Sequence, residues 1–128
     1  MYTFDKQLRG ISFEDAVAHT KQVLATKGFG VLTEIDMQKT MKAKLDVDIP
    51  AYVILGACNP KMAYEALKLE PRAGAMLPCN VIVRELEDGA IEVSAIDPVA
   101  SMTAIDNDAL QAVAGKVQGL LSEAVNQL

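Results

Sequence analysis

The chain of 128 residues is 51% hydrophobic, 23% charged and 5% aromatic, which excludes disorder and fits one globular domain, residues 1–128, whose core needs no disulfide or structural metal. Twelve Lys and Arg stand against 17 Asp and Glu, a net charge of −5, the wrong sign for a protein that gains affinity by neutralising phosphates, so nucleic acid and anionic membranes are not expected partners. No basic leader precedes an apolar run and no stretch of roughly eighteen apolar residues occurs, so a cytoplasmic protein is expected.

Residues 2–8 alternate, with Tyr2, Phe4 and Leu8 on one side and Thr3, Asp5 and Gln7 on the other, as in a half-buried strand; Lys6 is the misfit. Gly10 breaks the run. Ser12, followed by Glu14 and Asp15, opens a helix over 13–27 whose apolar stripe is Phe13, Ala16, Val17, Thr20, Val23 and Leu24, and Gly28 closes it. A second strand over 29–35 is expected to place Phe29, Val31 and Ile35 on one face and Glu34 on the other. From an Asp36 cap, Met37, Met41 and Leu45 recur every fourth residue between Lys39, Lys42 and Lys44, which predicts a short amphipathic helix with a solvated basic face.

Residues 51–58, uncharged and β-branched in the middle, predict a central strand. Asn59-Pro60 then starts a helix running to Leu69, with Met62, Ala63, Ala66, Leu67 and Leu69 as its stripe. After Pro71 a short turn or helix through Ala73 to Leu77 leads to a strand over 81–86, a turn at Asp88-Gly89 and a return strand over 90–96. A loop of about ten residues carrying Val99, Met102 and Ile105 follows Asp97-Pro98, before a long helix opens near Asp106-Asn107-Asp108 with an apolar stripe from Leu110 to Leu128. One hairpin and few strand–helix alternations predict an α+β sandwich: a single five-stranded, largely antiparallel sheet with the two long helices on one face and short helices in the connections.

Unusual residue types cluster in one place only. Both cysteines are followed by Asn, in Gly56-Ala57-Cys58-Asn59-Pro60 and in Leu77-Pro78-Cys79-Asn80. If their strands are antiparallel neighbours, the two thiols share one end of the sheet. Cys58, Asn59, Cys79, Asn80 and Asp97 are therefore the candidate binding residues. Each has a structural reading beside it: small buried hydrophobes for the cysteines, a helix cap for Asn59, a turn for Asn80 and a strand-exit acid for Asp97. His19, alone on the shoulder of its helix, reads as a surface or interface side chain. Phosphate-loop, dinucleotide, serine-hydrolase and zinc-protease signatures are absent, and a single His leaves a zinc site short of ligands. The cysteines are expected to stay reduced.

The runs Tyr52-Val53-Ile54-Leu55-Gly56-Ala57-Cys58-Asn59-Pro60-Lys61-Met62-Ala63, Leu77-Pro78-Cys79-Asn80-Val81-Ile82-Val83 and Ala95-Ile96-Asp97-Pro98 resemble the domain-of-unknown-function family DUF302 along essentially the whole chain. The resemblance implies a TATA-binding-protein-like α+β sandwich, often a homodimer in bacterial or archaeal cytoplasm, and no established activity. Apolar residues outside the regular elements, Met37, Met41, Met76, Val99, Met102 and Ile105, also point to a homodimer. Three functions compete: a binding module for a small molecule or metal at the Cys-Asn turns, a thiol-dependent redox enzyme or sensor using Cys58 or Cys79, and an interaction protein acting through its dimer surface.

Overall fold

The computed structural model describes all 128 residues. Five strands, β1 (Thr3–Leu8), β2 (Gly30–Asp36), β3 (Tyr52–Cys58), β4 (Cys79–Glu85) and β5 (Ile91–Ile96), form one sheet in the order β1-β5-β4-β3-β2. Every neighbouring pair is antiparallel. Helices α1 (Phe13–Thr26), α2 (Met37–Leu45), α3 (Pro60–Leu69), α4 (Pro98–Ser101) and α5 (Asp108–Asn126) and a 3₁₀ helix (Pro71–Met76) lie between and after them. None of these helices is long and apolar enough to cross a membrane.

The caps act where the side chains predict. Ser12 accepts from the Asp15 amide, Asp36 from Lys39 and Asn107 from Leu110, each satisfying an amide that has no partner in its own helix. Both long helices lie on one face of the sheet. Ala16, Val17 and Leu24 of α1 and Val117, Leu121 and Ala124 of α5 share a core with Val53, Leu55, Val81, Val83, Val93 and Ala95. Lys6, the misfit of β1, extends its stem along this face and donates from Nζ to the Asn126 carbonyl at 3.0 Å, where the end of α5 favours a cation.

The hairpin turns through three residues. The Gly89 amide donates to the Leu86 carbonyl and the Leu86 amide to Ala90, with only Gly89 at positive φ (85°), which is a type I turn followed by a bulge. Arg9, just past the end of β1, reaches Asp88 at 2.8 Å, and chiefly this bond holds the Asp88 carboxyl below its usual range.

Four expectations need correction. Ile35 does not share a face with Phe29 and Val31, because the β2–β3 register slips between Val31 and Thr33 and Leu32 bulges out. One extra residue reverses the alternation beyond it, so Ile35 pairs with Ile54 on the open face while Glu34 turns to the helix side and meets Lys21 of α1 at 2.7 Å. The loop after Asp97 begins with a helical turn, α4, because Asp97 accepts from the Val99 and Ala100 amides and Pro98 suits the first helical position. Leu67 and Leu69 are exposed, since α3 buries only the side carrying Met62, Ala63 and Ala66. Met102 is buried, with Val99 and Ile105 packed beside it on a smaller cluster of Ala66, Ala73, Leu110 and Ala114, so these three need no second chain to cover them.

Candidate functional site

Residues alternate between the two faces of a strand. Val53, Leu55 and Ala57 of β3 face the helices, and the β3–β4 register sets Ala57 opposite Cys79. Cys58, the last residue of β3, lies one step beyond that pair. The chain turns there into α3, which leans on α5, and the angle between sheet end and helices is not filled. The space open to the centre of a water-sized sphere is about 30 Å³, room for two or three waters.

This cavity joins the two hydrophobic clusters. Ala57 and Cys79 border it from the sheet, Met62, Ala63 and Ala66 from α3, and Leu110, Val113 and Ala114 from the first half of α5. Phe29, Leu77, Pro78, Pro98, Met102 and Val117 complete the walls together with Cys58 and Asn59. Asn59 alone among them carries oxygen or nitrogen in its side chain. Its Oδ1 caps α3 by accepting from the Met62 amide at 3.4 Å. Gly28, at φ 83°, makes room for the same amide group, because a Cβ there would stand 3.0 Å from Asn59 Nδ2.

The thiols differ in environment. Cys79 is buried, 7% exposed, and burial first, then the neighbouring Cys58, pushes its thiol up to about 11 from 9.0. It is protonated at neutral pH and a poor nucleophile. Cys58 is half-buried, and both cysteines are free.

Of the five candidate residues, the structure brings Cys58, Asn59 and Cys79 to the cavity and leaves the other two elsewhere. Asn80 projects from the opposite face, paired with Gly56 and close to Tyr52, Ile82 and Arg84. Asp97 caps α4 through the Val99 and Ala100 amides, and each of its carboxylate oxygens also accepts from Gln118 Nε2 at 3.1 Å, an anchor between α4 and α5. Met62, expected in the apolar stripe of α3, and Met102, expected in the loop after Asp97-Pro98, also line the cavity. Only the placing of Met62 in the first turn of the helix that follows Cys58-Asn59 hinted at that. No group of three or more His, Cys, Asp or Glu side chains is arranged to hold a metal ion.

Comparison with known proteins agrees with this architecture. The model of a family described as "Domain of unknown function DUF302" matches residues 4–128. A crystal structure of an uncharacterized conserved DUF302 protein from Bacillus stearothermophilus superposes with a TM-score of 0.90 over 99% of this chain and 98% of that one; at 22% identity this likeness speaks for the fold. An uncharacterized protein of Aquifex aeolicus (strain VF5) is 28% identical over 94 residues, 73% of this chain and 59% of that relative's length.

Proposed function

The chain belongs to the DUF302 family, a domain of unknown function, and from that premise we propose that it is a ligand-binding module whose site is the cavity between β3, α3 and α5. The carrying observation is that both cysteines and Asn59 meet on one apolar cavity at the end of the sheet. Protein interiors pack to crystal density, so a space bordered by four alanines, Ala57, Ala63, Ala66 and Ala114, is a feature to be explained. Larger side chains at those positions would close it.

Xenon is a suitable first probe, because it enters apolar cavities without needing a polar contact. In NMR spectra under xenon pressure, amide shifts are expected at Ala66 and Val113, together with loss of the response in Ala66→Val at unchanged thermal stability or better. Native mass spectrometry of protein taken anaerobically from cells is expected to show a retained mass that Ala66→Val lacks. A wild-type protein that gives neither signal rejects the reading.

A thiol-dependent redox role for Cys58 and Cys79 ranks second. The nearness of the two groups, which line one cavity and influence each other electrostatically, favours it, and the raised ionisation of Cys79 weighs against it. Free cysteines suit a reducing compartment, and we include the cytoplasm in the proposal on that ground. We further propose a homodimer through the open face of the sheet, where Tyr52, Ile54, Ile82 and Ile96 are only half-buried on the side away from α1 and α5. Arg84 and Glu92 neutralise each other there at 2.7 Å, so two copies of an acidic protein can approach on this side.

A further inference from the structure

The cavity collects sulfur. Besides the thiols of Cys58 and Cys79 it is lined by two thioethers, those of Met62 and Met102, in a chain with two Cys and six Met in all. No carboxylate or imidazole lines it, and the one oxygen donor, Asn59 Oδ1, is engaged by a backbone amide. Hard cations require oxygen ligands, whereas thiolate and thioether donors select Cu(I). Size points the same way: about 30 Å³ suits a single ion, against the roughly 300–1,000 Å³ of sites for organic ligands.

We infer that the ligand of this cavity is a soft monovalent cation of the Cu(I) type, bound by the Cys58 thiolate with the thioethers of Met62 and Met102 as further sulfur donors; this rests on the cavity being the ligand site. Binding breaks the Cys58 S–H bond, forms an S–Cu bond and releases one proton to solvent, with no change of oxidation state. One cation and one thiolate leave the complex neutral, which apolar walls require, and thioethers add donors without adding charge. Cys79, deeper in the wall, keeps its proton. The backbone that carries Met102 is fixed, because Gln111 Nε2 donates to the Met102 carbonyl at 2.7 Å and to Ile105 at 3.2 Å.

The test is anaerobic titration of the full chain with Cu(I) against the competing chelator bicinchoninate. Expected are one equivalent bound, one proton released, a loss of affinity of at least about 100-fold in Cys58→Ser, and about 10-fold in Met62→Leu and in Met102→Leu, the range seen when groups tuning a metal site are removed. Circular dichroism of the isosteric Leu variants controls for folding. Uptake that ignores both Met substitutions means thiol binding outside the cavity and overturns the inference. If Cu(I) is not taken up but xenon is, the cation inference falls and the cavity reading stands; if neither enters, both fall.

Discussion

Cys79 and Asn80 are adjacent in the chain yet project from opposite faces of the sheet. The two Cys-Asn pairs look equivalent in the sequence, and alternation along β4 separates the second while helix capping keeps Asn59 at the cavity. What the sequence carried was the residue types and the end of the sheet; the faces depended on strand boundaries, which began two residues earlier at Cys79 than periodicity indicated. The buried thiol makes a pH prediction. Its ionisation is raised from 9.0 to about 11 in the folded chain, so the unfolded chain loses this proton first. Stability from this group is fully present below about pH 9 and declines toward pH 11, by on the order of 2 kcal/mol. Urea midpoints at pH 8 and 10.5 are expected to fall further in the parent than in Cys79→Ala; equal falls would show that Cys79 titrates as it does unfolded. Iodoacetamide at pH 8 is expected to label Cys58 well before Cys79, as read by peptide mass spectrometry.

The elements were legible where caps and stripes coincided, as in α1 and α5, and illegible where the backbone departs from regular pairing. Nothing in Phe29-Gly30-Val31-Leu32-Thr33 marks Leu32 as a bulge. Gly56 hints at close approach, since a Cβ there would overlap both Thr33 Oγ1 and Pro78 Cγ. Gly56→Ala is expected to destabilise by about 1–3 kcal/mol through overpacking, measured by urea unfolding, and a neutral result would mean that β2 and the Pro78 segment shift freely. The apolar stripe of α5 was equally clear, but periodicity identifies a buried side without saying what covers it. Its first half, with Leu110 and Ala114, belongs to the Met102 cluster, and its second half, with Leu121 and Ala124, to the sheet. Asp97→Ala removes the α4 cap and the Gln118 anchor between them, and a loss of about 1–2 kcal/mol is expected. Retained stability would show that α4 is held by packing alone.

For the whole molecule, the layer order followed from amphipathic helices that must bury one side, whereas the open face could not be read from strands whose outer residues mix Ile, Tyr and charged groups. Five strands about 4.8 Å apart and six residues long span roughly 24 by 20 Å, about 480 Å² in projection, so side-chain relief and the flanking loops must supply the rest of the roughly 800 Å² per partner of ordinary interfaces. Light scattering at micromolar concentration is expected to give the mass of two chains, and Ile82→Glu that of one; a parent protein of single mass would end the dimer proposal. Pairing by faces leaves the sheet's rims free, and the Leu32 bulge then acquires a second meaning. Strand β2 is a rim, and its outer row of amides and carbonyls is an invitation to any extended segment of a neighbouring, partly unfolded chain. The extra residue breaks the spacing of that row at its middle, so an incoming strand can match one half of β2 or the other but not both. A feature that redirects Ile35 locally thus also makes the β2 rim a poorer template for fibre growth.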